Sequence, residues 1–334
     1  MSRAYLGILD RADPLYEILL IQIASEIRDP VFHVSRLSHR NVFKYTEENS
    51  LISVVGKFFR LDDTKPDRVY RIKCEYDNLN KARQYGLDRF PNYVVRPISK
   101  DERIGLALIE EFISGKDLDH YLRKAIHEGT DESLRKVLSA LASFFHVLHT
   151  RTKSDGNVCL DSVSAYFQKI IRKLTVQNVI PESDVEPYLK LMDRWLNGPL
   201  LQNGRGSIIH GDATPTNFIF AGKNNVVAID LERMRYADAV FDIGMVCGEI
   251  KHAFLWRTGS LEASEPYIRH FLKSYARHFG DSRRVFRAIT RRNPFYMALT
   301  ELRIARNGYL DWPYKKILAH EALECLRWGL RLDD

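Results

Sequence analysis

The sequence has few cysteines and no long hydrophobic run, and both shortages narrow the class of protein. Among 334 residues there are 4 cysteines, scattered singly, with neither the CxxC spacing of a metal site nor a disulfide framework. We therefore expect free thiols in a reducing cytoplasm. No apolar stretch approaches the roughly eighteen residues of a membrane span, and Arg3 and Asp10 stand where a signal peptide would be apolar. No membrane association is expected.

Blocks of like charge, internal repeats and low-complexity segments are also lacking. The formal net charge is +7, but the lysines and arginines are dispersed and form none of the basic runs typical of nucleic-acid-binding arms. We expect no nucleic acid partner, whereas small anionic ligands suit the basic balance. A hydrophobic content of 45% and a charged content of 28% are those of a globular chain. Its length allows two lobes or domains.

The most informative stretch is a polar loop between two predicted strands, His210-Gly211-Asp212-Ala213-Thr214-Pro215-Thr216-Asn217. An apolar strand ends at Ile209, and a second strand begins at Asn217. Residues 221–225 form a turn rich in Gly and Asn. The returning strand, 226–229, ends at Asp230. This hairpin would deliver two carboxylates and one amide to the same region.

These three groups have the chemistry that phosphoryl transfer to a hydroxyl group requires. Magnesium takes hard oxygen ligands, typically one or two carboxylates together with substrate phosphates. A further Asp orients the attacking hydroxyl group and takes its proton. The spacing of Asp212 and Asn217 matches the Asp and Asn of a kinase catalytic loop, and Asp230 falls where a second magnesium-binding Asp would be. Ordinary capping of the loop by polar side chains is the simpler alternative.

The stretch from His210 to Asp230 resembles the signature of the aminoglycoside phosphotransferase and choline kinase family, small-molecule relatives of the protein kinases. The resemblance implies an α+β fold of the bilobal protein-kinase type, with a small antiparallel-sheet N-lobe and a larger, mostly helical C-lobe. We place the N-lobe, with an N-terminal helix and a nucleotide-covering sheet, at residues 1–114. The C-lobe, with the catalytic loop and an acceptor-binding helical subdomain, would occupy residues 115–334.

The resemblance also implies the cofactors and their ligands. ATP and Mg²⁺ would be required, with Asp212 as the catalytic residue that orients and deprotonates the acceptor. Asn217 and Asp230 would hold the metal ion. Asp242 would hydrogen-bond the backbone of the catalytic loop, although a helix N-cap is an alternative role for it.

The N-terminal part of the sequence predicts a mixture of helices and strands. Helices are expected over 14–27 and 67–85, and candidate strands over 31–34, 41–45 and 51–59. A kinase-like N-lobe carries phosphate-covering glycines in its first turn between strands. The corresponding turn here, 37–40, contains no glycine.

Lys57 and Glu75 are charged residues in apolar settings. Lys57 lies within the strand 51–59, where a buried ammonium group must be paired. Glu75 falls on an otherwise apolar face of the helix over 67–85. The resemblance implies that the two form an ion pair and that Lys57 reaches the α- and β-phosphates of ATP. An edge strand that exposes Lys57 to solvent is the alternative.

The apolar run 105–113 leads into Ser114-Gly115, which we take as the lobe boundary. It resembles the hinge of the family, which implies that backbone groups around Glu111 to Ile113 hydrogen-bond the adenine edge. A strand that ends in a turn explains the run equally well. Beyond it, helices are predicted over 117–127, 132–149, 161–176 and 182–197. His149, at the end of one of them, is expected to satisfy the core.

Departures from the protein-kinase pattern favour a small-molecule acceptor. Thr214 stands where protein kinases place a catalytic-loop lysine, and the run from Asp230 to Asp242 is too short for an activation segment. Basic residues outnumber acidic ones after residue 241. Among sugars, amino acids, nucleoside-like metabolites and aminoglycoside-like compounds, this balance favours a neutral or anionic acceptor over a polycation.

Two other hypotheses remain open. One is a kinase-fold pseudoenzyme or nucleotide-binding regulatory protein without turnover, which the glycine-free turn would suit. The other is a metal-dependent hydrolase that uses Asp212, Asp230 and a histidine such as His210. A hydrolase would need further ligands at metal-binding spacing, and the sequence offers no second cluster of this kind.

Overall fold

The computed structural model describes residues 4–38, 41–59, 66–156, 158–202 and 204–331. Contacts divide the chain into two compact units. The first comprises Met1–Ser114 and Val227–Arg233, and the second comprises Gly115–Val226 and Met234–Asp334. The functional division into residues 1–114 and 115–334 stays a prediction.

The first unit is built on an antiparallel sheet with two helices. Its helices are α1 (Pro14–Ile23) and α2 (Pro66–Gln84). Its strands are β1 (Ala4–Ile8), β2 (Phe32–Ser38), β3 (Val42–Glu47), β4 (Ser53–Phe58), β5 (Asp88–Arg89), β6 (Asn92–Val94), β7 (Pro97–Asp101) and β8 (Leu106–Glu111). Six of these strands form one sheet in the order β1-β2-β3-β4-β8-β7.

One face of this sheet carries an apolar core under α1. Asp13 caps the helix by accepting a hydrogen bond from Leu15 N at 2.9 Å. Leu15 and Leu19 pack against alternate sheet residues, among them Phe32, Tyr45, Val54 and Ile109. Because side chains of a strand alternate between faces, the residues next to these along β4 and β8 point to the opposite face.

The opposite face of the sheet carries the charged residues of the first unit. Lys57 is paired in register with Leu108, and Val55 with Glu110, so Lys57 and Glu110 share a face. Helix α2 turns Glu75, Leu79 and Ala82 inward at helical spacing, and all three are buried.

Several predicted boundaries in this unit were wrong. The first helix ends at Ile23 and not at residue 27, because Ala24 leaves the helical backbone, with φ −140°. No glycine or proline signals this end in the sequence. Strand β1 and the short strands β5, β6 and β7 were not expected. Residues 39 and 40 of the predicted glycine-free turn lie outside the described residues.

The second unit is mainly helical. It contains β9 (Lys116–Asp117), α3 (Leu118–Glu128), α4 (Asp131–Arg151), α5 (Asp161–Val176), α6 (Val185–Asn197), α7 (Pro199–Gln202), β10 (Gly206–Ile209) and β11 (Phe218–Phe220). The chain passes to the first unit in β12 (Val226–Ala228). It then continues through β13 (Arg235–Asp238), α8 (Val240–Thr258), α9 (Glu265–Ala276), α10 (Ser282–Ala305) and α11 (Trp312–Arg331).

Small residues let the long helices of this unit pack closely. A Cβ atom on Gly244 of α8 would lie 2.3 Å from Tyr296 Cβ on α10, and one on Gly248 would lie 2.8 Å from Thr300. Strand β10, which leads to the His210 loop, pairs antiparallel with β13, which leads to α8. Packing of α8 against α10 therefore also positions the loop after β10.

None of the described helices combines the length and the apolar composition that crossing a bilayer requires. The four cysteines are free thiols.

Candidate active site

In the first unit, Lys57 lies between two buried glutamates. Its Nζ donates to Glu75 Oε1 at 2.5 Å and lies 3.4 Å from Glu110 Oε1. The Lys57 side chain is 13% exposed, and those of Glu75 and Glu110 are 2% and 4% exposed. Lys57 is thus a buried, paired cation, and the solvent-exposed edge lysine is excluded.

The charged groups of this cluster shift one another's pKa values. Burial alone would lower the pKa of Lys57, but Glu110, Glu75 and Asp230 outweigh it, and the pKa is raised. Burial raises the pKa of Glu75 and of Glu110, against the opposing effect of the Lys57 ammonium group. Lys57 therefore stays protonated, and it is held in place by two carboxyl groups from different elements.

Glu110 is a residue that the sequence reasoning missed. It sits beside Glu111 at the end of a strand whose other residues are apolar. Because alternate strand residues face opposite sides, one of two consecutive glutamates had to point inward beside Lys57. Its Oε2 is buried and has no hydrogen-bond partner among the described residues. The doubled glutamate was the signal that could have identified it.

Asp230 follows β12 with an unusual backbone. Its φ of 62° lies in the left-handed region, which few residues other than glycine adopt. The flanking backbone is fixed on both sides: Ala228 O accepts from Val95 N at 3.1 Å, and Leu231 O accepts from Asn78 Nδ2 at 2.9 Å. Its charge is close enough to raise the pKa of Lys57 and Glu75. A strained backbone held by its surroundings is a frequent property of functional positions.

Glu111 and Ile113, which were predicted to bind the adenine edge, differ in whether the backbone amide already has a hydrogen-bond partner. The amide of Glu111 already donates to Arg96 O at 3.1 Å. Its side chain accepts from Tyr93 Oη and, at 2.7 Å, from Arg96 N. In the described part of the chain, the amide of Ile113 has no hydrogen-bond partner. Of the two amides, that of Ile113 is the available donor.

In the second unit, the loop after β10 is braced by Asp242, the third residue of α8. Its Oδ2 accepts from His210 N at 2.7 Å, and its Oδ1 accepts from Gly211 N at 3.0 Å. The structure confirms the hydrogen bonds that the resemblance implied for this residue. Asp242 is completely buried, so the loop is held by a carboxylate that water does not reach.

His149 was expected only to satisfy the core, and the structure shows that it also contacts Asp242. Its Nε2 lies 3.3 Å from Asp242 Oδ2, and its Nδ1 lies 3.1 Å from Tyr275 Oη. Burial alone would raise the pKa of Asp242, but the hydrogen bond and charge of His149, the charge of His210 and the Gly211 amide lower it. His149 and Tyr275 therefore orient the carboxylate that braces the loop.

Within the loop, the side chains of Asn217 and His210 each hydrogen-bond to the backbone of Asp212. Asn217 is buried, and its Nδ2 donates to Asp212 O at 2.9 Å, which closes the loop on itself. His210 is also buried: its Nδ1 accepts from Asp212 N at 3.3 Å, and its ring packs on Phe218. The ring of His210 is a scaffold for the loop. This geometry does not support its use as a hydrolase ligand.

Arg303 on α10 is the main residue that sequence reasoning did not find. Its Nη1 donates to Asp212 Oδ1 at 3.0 Å and its Nη2 to Glu249 Oε1 at 2.9 Å. The three side chains are 12–16% exposed. Burial raises the pKa of Glu249, and the Arg303 charge opposes this effect. No local sequence pattern connects residues so far apart, because only the packing of α8 on α10 brings them together.

Further charged and aromatic side chains surround this ion pair. Arg257 Nη2 donates to Asp119 Oδ1 at 3.2 Å, and Asp119 is close enough to raise the pKa of Glu249. Trp256 and Tyr309 lie with ring centroids 6.1 Å apart and are 46% and 66% exposed. This part of the second unit therefore contains paired charges next to solvent-exposed aromatic rings.

The donor atoms available to a metal ion are few and hard. Among the described residues, no group of three or more His, Cys, Asp or Glu side chains could hold an ion by itself. Asn217 and Asp230 offer amide and carboxylate oxygens, which suit magnesium and not a soft metal. Asn217 lies in the second unit and Asp230 in the first, and each by itself is a donor of the kind that magnesium accepts beside phosphate groups and water.

Comparisons with known proteins identify the family and the fold. A sequence model of the phosphotransferase enzyme family matches residues 32–288. No curated protein sequence matches the chain.

Solved structures show the same fold at low sequence identity. The ternary complex of streptomycin, ATP and APH(2'')-IIa is 15% identical with a TM-score of 0.57, covering 95% of this chain and 99% of that chain. An ethanolamine kinase from Plasmodium vivax is 12% identical with a TM-score of 0.59, covering 95% and 87%. A choline kinase from Cryptosporidium parvum is 14% identical with a TM-score of 0.59, covering 95% and 94%. These similarities confirm the expected kinase-like fold, with an antiparallel N-terminal sheet and a helical C-terminal region.

Proposed function

We propose that this chain, which belongs to the phosphotransferase enzyme family, is a kinase that transfers the γ-phosphoryl group of ATP to the hydroxyl group of a small molecule in a magnesium-dependent reaction. The observation that carries this proposal is the braced loop from His210 to Asn217. Two of its amides are fixed by the buried Asp242 carboxylate. Rigid placement of a reacting group is a large part of the rate acceleration in phosphoryl transfer.

In this proposal, Asp212 orients the acceptor hydroxyl group and accepts its proton as the oxygen attacks the γ-phosphorus. Arg303 and the Asn217 bond to Asp212 O restrict the Asp212 side chain and backbone. The guanidinium group thereby holds the Asp212 carboxylate in one orientation. General-base catalysis of this kind contributes typically about 10²–10⁴-fold.

Lys57 binds the α- and β-phosphates of ATP in this proposal. An ammonium group paired with two buried carboxylates stays charged and has little freedom to move. Glu75 and Glu110 are thus positioning residues for Lys57. The Ile113 amide donates to the adenine edge, and backbone groups near Glu111 shape the same contact.

Asn217 and Asp230 hold magnesium through their side-chain oxygens. Magnesium held there would supply neutralisation of the phosphate charge during the transfer. The left-handed backbone of Asp230, with hydrogen bonds to the backbone on both sides, supports this role because it fixes where the residue lies after β12.

The acceptor is proposed to be a neutral compound with a ring, such as a sugar or a nucleoside-like metabolite. Arg303 and Arg257 already pair with Asp212, Glu249 and Asp119. Few carboxylate charges are therefore left for a polycationic aminoglycoside. The exposed faces of Trp256 and Tyr309 offer stacking surfaces for a ring.

The experiment compares the wild-type protein with Asp212→Asn. Calorimetry measures ATP binding with and without magnesium, and a coupled assay measures ADP release against sugars, nucleosides, amino acids and one aminoglycoside. We expect both proteins to bind magnesium–ATP with similar affinity and Asp212→Asn to lose about 10²-fold or more in turnover. Nucleotide binding without wild-type turnover on any acceptor would favour the pseudoenzyme hypothesis. Absence of nucleotide binding would refute the kinase proposal.

A further inference from the structure

A large basic cavity lies in the second unit, and Asp212, Asn217 and Arg303 are not among its lining residues. Its volume is about 1060 Å³, and cavities of about 300–1,000 Å³ commonly bind small molecules. The wall is built by α6, the start of β10, the end of β13 and the N-terminal half of α10. The cavity can therefore hold a molecule of nucleotide size.

The charge of the lining is strongly one-sided. Asp238 is the single acidic side chain among the described residues that line the cavity. It is already engaged, because Arg292 Nη1 donates to it at 2.8 and 3.0 Å and Tyr296 Oη at 3.1 Å. The other cationic lining residues are Lys153, Arg194, Arg205, Arg284, Arg287 and Arg291. A concave surface lined by one sign of charge concentrates counter-ions of the opposite sign.

A buried hydroxyl group also belongs to the wall. Ser207 lines the cavity and is 2% exposed. Its Oγ has no hydrogen-bond partner among the described residues, and the atom itself is shielded from solvent. This hydroxyl group therefore does not face the cavity, and recognition of a ligand rests on the lysine and arginine side chains of the lining.

The wall is connected to the braced loop by hydrogen bonds. His149 and Tyr275 both line the cavity. They bond to each other, and His149 bonds to Asp242, which accepts from His210 N and Gly211 N. Ser207 is in β10, which runs directly into the same loop. The lining of the cavity therefore includes side chains that hold the loop in position.

We propose that this cavity is a second ligand site, which binds a small molecule carrying several phosphate groups and whose occupancy steadies the His210–Asn217 loop. Arginine side chains suit this ligand because their planar forks bind phosphate oxygens through paired hydrogen bonds. Arg292 is held in the lining by its hydrogen bonds to Asp238. The site is additional to the nucleotide and acceptor contacts proposed above.

The test uses inorganic tripolyphosphate as the probe and calorimetry on the full-length chain at low ionic strength. Arg284→Glu/Arg287→Glu reverses two exposed charges of the cavity, and we expect it to weaken binding by at least about tenfold. The matched control is Arg283→Glu, on the same helix but not in the lining, and it should bind nearly as the wild type does.

Two further measurements distinguish this cavity from the nucleotide site and test whether binding in the cavity affects the loop. Lys57→Met should keep tripolyphosphate binding, because Lys57 is proposed to contact phosphates only at the nucleotide site. Hydrogen exchange of the His210 and Gly211 amides should slow when the probe is bound to the wild type.

The proposal is overturned by any of several results. These are absence of binding, equal weakening by Arg283→Glu, or loss of binding in Lys57→Met with retention in Arg284→Glu/Arg287→Glu. Tighter binding of a single-stranded oligonucleotide with the same sensitivity to Arg284→Glu/Arg287→Glu would assign the cavity to a nucleic acid instead. Unchanged exchange at His210 and Gly211 in the bound protein would refute the effect on the loop.

Discussion

Replacement of Arg303 by methionine should damage both stability and turnover, by separable amounts. Arg303 donates to Asp212 at 3.0 Å and to Glu249 at 2.9 Å, with 13% of its side chain exposed. Methionine keeps much of the packing volume but leaves two carboxylates without their cation. Breaking a buried ion pair by removing one partner costs about 3–5 kcal/mol of unfolding free energy.

The raised pKa of Glu249 limits this cost and provides a way to separate the two effects. Burial raises that pKa even with Arg303 present, so Glu249 can take up a proton when the cation is lost. In Arg303→Met/Glu249→Gln the neutral amide removes the more deeply buried of the two stranded carboxylates, and we expect about 1–2 kcal/mol of the lost stability to return. Turnover should not return, because Asp212 still lacks its guanidinium partner.

Urea unfolding and steady-state kinetics on the wild type, the two single variants, the double variant and a control provide the measurement. Arg303→Met should lower kcat by about tenfold to a hundredfold, the effect expected for a misplaced catalytic group. Arg306→Met is the matched control, since Arg306 lies next to the end of α10 and its guanidinium lies over the Tyr166 ring. The reasoning is refuted if Arg303→Met keeps wild-type kcat, or if the stability effects of Arg303→Met and Glu249→Gln simply add.

Two further predictions concern the buried groups of the second unit. Asp242→Asn should lower the unfolding free energy by about 2–4 kcal/mol, because charge-assisted hydrogen bonds to two amides and His149 are weakened. It should also reduce kcat at least about tenfold, whereas the affinity for magnesium–ATP should change little. Wild-type turnover in a folded variant would contradict the bracing role. His252 is 6% exposed, and burial, then Arg257, lower its pKa to about 4. Since the unfolded side chain binds its proton near its ordinary pKa of about 6.5, this histidine leaves stability unchanged above that pH and costs about 2–3 kcal/mol by about pH 4.5. His252→Gln should therefore lose less stability than the wild type between about pH 7 and about pH 4.5 in urea titrations, and equal loss in both, with the exposed His320→Gln as control, would disprove the assignment.

Features of the site that lie close together in the sequence could be predicted from the sequence. The loop 210–217, the turn at 221–225 and Asp230 follow one another within a single hairpin. Turn residues and apolar runs of strand length mark such a hairpin locally. The inward position of Glu75 was predictable for a similar reason, because helical periodicity assigns residues 75, 79 and 82 to one face.

Features that depend on contacts between distant elements were decided only by the tertiary structure. Glu110 became a partner of Lys57 through the register of β4 and β8. The Arg303 bridge from Asp212 to Glu249 required the packing of α8 on α10, which the small surfaces of Gly244 and Gly248 allow. The basic cavity likewise gathers cations that are scattered along the sequence. Periodicity reports which way a side chain faces within its own element, whereas packing determines what that side chain meets.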